Sequence, residues 1–299
     1  MSSLTDKISV SRVSTVLSEL GEGPCWSGEE NALWYVDITS KRIHRLDITT
    51  NDSKYWDTRE KVSFVLPFDD GGFVVGLPGQ LARFSPKAGT FETIALVEGD
   101  KPGNRLNDAV IDSQNRLWFG SMDDAERSAN GALYRWNGTQ APVRADDGYV
   151  ISNGPAQSAD GHFFYHTDTL TRTIYRFALD KAGALGDKQR FIEIEKGAGF
   201  PDGTTMDAEG CLWIALYGGW AVRRYAPDGT LMATVTIPCA NVTNLAFGGA
   251  DLRTAFVTTA RQKLDSTALQ SQPLAGALFS FRAPVSGMPQ PKLKFGGTQ

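Results

Sequence analysis

The 299-residue chain has only three cysteines, three histidines and no long apolar run, and each scarcity removes a class of protein. Cys25, Cys211 and Cys239 are an odd number without a Cys-x-x-Cys pair, which fits neither a disulfide framework nor a zinc knuckle, so reduced, buried thiols are expected. No stretch approaches the roughly 18 to 20 apolar residues of a membrane helix, and the opening MSSLTDKISVSRVS lacks the apolar block of a secretory signal. The expectation is a soluble, cytoplasmic protein with no membrane partner. Neither sign of charge dominates: the net charge is −4, without the basic stripe that a nucleic-acid partner requires. There is no G-x-S-x-G, HExxH, EF-hand loop or P-loop, and no G-x-G-x-x-G that follows a strand and opens a helix, so serine-triad, zinc-protease, calmodulin-like and nucleotide-binding readings lack support.

What the chain has is glycine, 31 of 299 residues, and repetition. Short apolar stretches recur at 31–37 (NALWYVD), 71–77 (GGFVVGL), 115–121 (NRLWFGS), 161–167 (GHFFYHT), 210–216 (GCLWIAL) and 252–258 (LRTAFVT). Aligning Trp34, Phe73, Trp118, Phe164, Trp213 and Phe256 gives spacings of 39, 45, 46, 49 and 43, within the range that marks propellers and solenoids. A second strand-like piece follows each, such as RIHRLD at 42–47 or AVRRYAPDG at 221–229. Alternating apolar and polar residues between Gly, Asn and Asp turns argue for strands, and a repeat of this length holds about four of them. The pattern predicts an all-β, six-bladed β-propeller occupying 1–299 as one domain. A segment at about 8–17, upstream of the first repeat, is expected to supply the strand that closes the last blade. Residues 182–187 and 265–273 read as loops.

In such a ring, loops entering the innermost strands bring distant residues to one channel. Glu22 in GEGPCW, Asn153 in SNGPAQS and Asp202 in PDGTT each adjoin a glycine. Together they offer only oxygen, which suits a hard divalent cation; separately, they are also ordinary turn residues. His166 and Asp168 follow the inner strand of the fourth repeat and either approach the channel or bond between blades. Trp26, Trp34, Trp118 and Trp213 recur at blade positions and are read as packing, whereas Trp220, in a glycine-rich loop, is the tryptophan expected to reach a ligand.

The ordered set LGEGPCW, RLNDAVIDSQNRLWFGSMD, SNGPAQSADGHFFYHTDTLTRTIYRF, PDGTTMDAEGCLWIALYGGWAVRRYAPDG and NLAFGGADLRTAFVTTA resembles the SMP-30/gluconolactonase/regucalcin family of metal-dependent sugar lactonases, from about residue 18 to about residue 283. The resemblance implies a central metal site, with Glu22, Asn153 and Asp202 as ligands of one Ca²⁺, Mg²⁺, Mn²⁺, Fe²⁺ or Zn²⁺ ion. It also implies that Arg105 and Asn107, in the R-x-N-D motif, contact the substrate. The expected partner is a small sugar lactone, and the expected reaction is attack on its carbonyl by a metal-activated water. Asp202 is the expected general base, with Asp108 as runner-up. One departure stands out: where the family frequently has an acidic substrate contact after G-[ST]-M, this chain reads Asp124-Ala125-Glu126, with Ala125 at the aligned position and Asp124 or Glu126 as stand-in. A calcium-binding propeller without turnover and a phosphotriester hydrolase on the same fold are the alternatives.

Overall fold

The computed structural model describes residues 8–294. Its strands form six four-stranded antiparallel sheets, each a blade of a six-bladed β-propeller. In blades one to five the strands follow one another in chain order, and the first strands of neighbouring blades pack together around the channel. These inner strands are Gly21–Ser27, Val65–Pro67, Asn104–Ile111, Ser152–Gln157, Phe200–Met206 and Val242–Gly248.

The conspicuous apolar repeats are therefore the second strands, not the channel strands. Trp34, Phe73, Trp118, Phe164, Trp213 and Phe256 all lie on them and are buried, because both faces of that strand are covered by neighbouring blades. Two of the tryptophans are tied to the turn that precedes them. Asp112 Oδ2 accepts Trp118 Nε1–H at 2.8 Å and Asp207 Oδ2 accepts Trp213 Nε1–H at 2.8 Å, while each Asp also pairs with a buried arginine, Arg116 or Arg224. Cys25, Cys211 and Cys239 are buried free thiols.

Blade six is built from both ends of the chain. Its inner three strands are Val242–Gly248, Thr254–Thr259 and Phe279–Arg282, and its outermost is Val10–Arg12, with Val10 opposite Phe281. The upstream segment is thus a strand over three residues; the chain then leaves the sheet, and Ser18 N–H bonds to Gly276 O. Residues 265–273, read as a loop, contain a helix over Ser266–Ser271, started by Asp265, whose carboxylate accepts the Ala268 N–H. Among the described residues no helix is long and apolar enough to cross a membrane.

Candidate active site in the channel

Glu22, Asn153 and Asp202 sit on the inner strands themselves, not on the loops that enter them. The reason is a repeated irregularity. The pairing register shifts between Glu22 and Cys25, Leu106 and Ala109, Asn153 and Ala156, Pro201 and Thr204, and Val242 and Asn244. A β-bulge re-aims a side chain and breaks the ladder locally, which is also why Pro24 and Pro155 are tolerated inside strands. At two of the bulges the next residue is a left-handed glycine, Gly23 (φ 51) and Gly154 (φ 49). A Cβ on Gly154 would lie 2.4 Å from Thr204 Oγ1 and 2.8 Å from the Asp202 carbonyl oxygen of the neighbouring blade, so the close approach of the strands that carry Asn153 and Asp202 requires glycine there.

Glu22, Asn153, Asp202, Arg105 and Asn107 line one cavity of about 220 Å³, which Met122, Phe200 and Tyr217 also line. This is below the roughly 300–1,000 Å³ of sites that hold drug-sized ligands. Asn107 Nδ2 donates to Asn153 Oδ1 at 2.6 Å and to the Ser152 carbonyl at 2.8 Å, and Asn153 Nδ2 donates to Thr169 Oγ1 at 3.0 Å. Arg105 Nη1 donates to Asn107 Oδ1 and to Leu106 O, and its Nε donates to Asp124 Oδ1 at 3.1 Å. Asp124 and Glu126, the two candidate stand-ins, are thereby separated. Asp124 braces Arg105 and bonds to Lys61 Nζ at 2.7 Å without lining the cavity, whereas Glu126 lines it and pairs with Lys263.

Two residues belong to this centre that the sequence reading left as a runner-up or did not assign. Asn244 Nδ2 bridges Glu22 Oε2 at 3.1 Å and Asp108 Oδ2 at 3.3 Å, and Asp108 Oδ2 also accepts the Gly154 N–H at 3.1 Å. The available signal was positional: Glu22, Asn107-Asp108, Asn153, Asp202 and Asn244 occupy equivalent bulges of five blades. Trp220, by contrast, is in a turn, 42% exposed and away from the cavity, where Tyr217 takes its expected place. His166 lies within blade four, fully buried, with Nε2 against Ser152 Oγ at 2.9 Å and Tyr149 edge-on to its ring; neither it nor Asp168 lines the cavity.

The electrostatics are those of crowded acids. Burial first, and then the nearby Glu22 and Asp108 carboxylates, push the Asp202 carboxyl well above the ordinary range; burial and Asp108 do the same to Glu22. Burial also raises Asp108, against the opposing N–H donors of Ala109, Gly154 and Asn244. Arg105 is the cation that opposes this build-up. Asp202 Oδ1 is buried without a hydrogen-bond partner, which is costly for a carboxylate oxygen unless something else satisfies it. Two buried carboxylates, one of them with an orphaned oxygen, and a carboxamide fit a hard divalent cation. Among the described residues no three His, Cys, Asp or Glu side chains form a metal-sized group, and the fitting set counts Asn153 as its third member.

Residues 20–261 match the family described as the SMP-30/Gluconolactonase/LRE-like region. The chain is 34% identical over 276 residues to a 6-deoxy-6-sulfogluconolactonase of Pseudomonas putida, covering 92% of this chain and 94% of that protein. It is 33% identical over 296 residues to a pentonolactonase of Haloferax volcanii, covering 95% and 97%. Its fold is similar to the crystal structure of a calcium-binding protein, regucalcin, from Agrobacterium tumefaciens, with a TM-score of 0.92 at 27% identity and 96% and 98% coverage.

Proposed function

The chain belongs to the SMP-30/gluconolactonase/LRE-like family, and from that premise we propose that it hydrolyses a sugar lactone to the open sugar acid with one divalent cation at Glu22, Asn153 and Asp202. The observation that carries this reading is the convergence of those three residues with Arg105 and Asn107 on one small cavity. The cation, when bound, supplies a Lewis acid that polarises the lactone carbonyl and makes water more acidic.

This chain's residues do the rest. Arg105 Nη2, which donates to no protein acceptor among the described residues, and the second lone pair of Asn107 Oδ1 offer directed donors and an acceptor, which suits vicinal hydroxyls better than an acyl chain. Asp124 holds the Arg105 fork in place from behind, at 3.1 Å. Asn107 is held in turn by Asn153 and Ser152, so a sugar bound to it is set against the ligand-bearing strand. Asp202 takes a proton from the attacking water as the new C–O bond forms at the carbonyl carbon. The bond from that carbon to the ring oxygen then breaks, the ring oxygen receives the proton from Asp202, and the acid released ionises, giving one proton to solvent per turnover. Met122, Phe200 and Tyr217 narrow the cavity around the ring and limit water.

A second reading, a calcium-binding propeller without turnover, is favoured by the similarity to a protein described as calcium-binding. The two separate in one experiment: a panel of five- and six-membered aldonolactones, offered to chelator-treated protein resupplied with each cation in turn, with proton release recorded. Cation-dependent release supports hydrolysis; calcium binding with no release from any lactone supports the second reading.

A further inference from the structure

Glu126 and Lys263 form an ion pair across the solvent end of the cavity. Glu126 follows the second strand of blade three and Lys263 follows the second strand of blade six, 137 residues later. The floor residues Glu22 and Asp202 are each 6% exposed, whereas the Lys263 side chain is 53% exposed, so the pair lies at the rim.

Both ends of the pair are anchored. The Asp123 carboxylate accepts the N–H groups of Arg127 and Ser128 at 2.9 Å, and the Asp123 carbonyl accepts the Glu126 N–H at 2.9 Å. On the other side the Gln262 carbonyl accepts both Tyr217 Oη–H and Asn241 Nδ2–H at 2.9 Å, and the Gln262 N–H donates to Glu19 O at 2.8 Å. Lys61, ahead of the inner strand of blade two, ties the blade-three loop down a second time through Asp124. Glu126 (φ 57) and Lys263 (φ 65) are both left-handed, a conformation unfavourable to any residue with a Cβ and retained only where the surroundings impose it. An exposed ion pair is ordinarily worth little because two long side chains must be ordered to make it. Here the backbone at each end is already fixed, and the two residues reach one another over the cavity.

We infer that the Glu126–Lys263 pair is a clasp that sets the size of lactone admitted, with Lys263 as a positioning residue that holds Glu126 across the mouth. The inference rests on the proposed hydrolysis for its substrate class, though not for the clasp itself. A bare aldonolactone ring fits beneath the pair; the same ring with a bulky group on its terminal hydroxyl does not.

The test compares an aldonolactone with its terminal O-benzyl ether, by kcat/KM, in the wild type, Lys263→Ala and Lys263→Arg. The preference for the bare ring should fall about tenfold in Lys263→Ala and be retained in Lys263→Arg. Raising the salt to about 1 M screens an exposed pair, so the wild-type preference should drift toward that of Lys263→Ala, while Lys263→Ala should not respond. Calorimetric binding of the two corresponding open-chain acids gives the same ratio without turnover. A shifted binding ratio with no hydrolysis of either lactone would keep the clasp and remove the hydrolase reading. Equal ratios in the wild type and Lys263→Ala, or neither hydrolysis of the lactones nor binding of the acids, would overturn the clasp.

Discussion

Arg105 makes three protein contacts while lining the cavity, and that arrangement separates binding from chemistry. Replacing it with alanine removes a buried charged donor but no proposed cation ligand. Loss of such a hydrogen bond costs about 1.5–3 kcal/mol, or roughly a ten- to hundredfold drop in kcat/KM. We expect that drop in Arg105→Ala with the affinity for the cation nearly unchanged, measured by steady-state kinetics beside calorimetry. His44 gives a prediction of a different kind. It is 5% exposed, stacks on Tyr35 and has no partner for Nε2. Burial lowers its pKa to about 4 from the ordinary 6.5, and burial holds His166 at about 3. Below 6.5 the unfolded chain takes up protons on these histidines that the folded chain refuses, so their contribution to stability is constant above that pH and falls as pH drops toward the folded values. At pH 5 His44 alone should account for about 2 kcal/mol of the loss. In His44→Phe, which keeps the stacked ring, the difference in urea stability between pH 7.5 and pH 5 should shrink by that amount; an unchanged difference would show that His44 titrates freely. Neither His44's burial nor Arg105's was legible in the sequence, because both depend on what neighbouring strands place over them.

At the scale of strands, the six apolar repeats were plain because their residues are covered on both faces, and they gave blade number and spacing. The inner strands were obscured by what makes them useful. Glu22-Gly23-Pro24 and Asn153-Gly154-Pro155 look like turns, since a bulge needs the same glycine and proline that a turn does. Gly154 tests this directly. Alanine there would suffer left-handed strain of about 1 kcal/mol and overpacking of about 1–3 kcal/mol against Thr204 and Asp202, and would push Asn153 out of line. Gly148 is left-handed too (φ 88) but has nothing within 4 Å of an added Cβ, so Gly148→Ala should cost the strain alone. Thermal or urea denaturation of the pair should show Gly154→Ala as the clearly less stable, with weakened cation affinity only in that variant. Equal losses would mean that close approach of the two blades plays no part.

Across the whole molecule the chain ends hold the ring. Val10–Arg12 completes the outer edge of blade six, and the segment after Arg282 crosses the turns of other blades. Ser286 O accepts the Ala208 N–H from blade five, Leu293 N–H donates to Pro67 O in blade two, and Lys294 N–H bonds to Asn115 in blade three. Met288 and Gln290, on that segment, lie with Asp108 and Asn244 along a second cavity. None of these cross-ring contacts has a local sequence signature, because each joins residues from distant repeats. The closed ring fixes five bulges relative to one another, and so concentrates three carboxylates where none would gather in a flexible chain. Asp202 is the one among them with an orphaned oxygen. The most direct measurement is therefore made on Asp202→Asn, which keeps the shape and removes the charge: cation affinity by calorimetry and lactone-driven proton release, on the same chelator-treated and resupplied protein. Both should fall together while the denaturation midpoint of the cation-free protein is held or raised, since one of three mutually repelling buried acids is gone. Full cation-dependent proton release from Asp202→Asn would contradict the role of Asp202 as ligand and base.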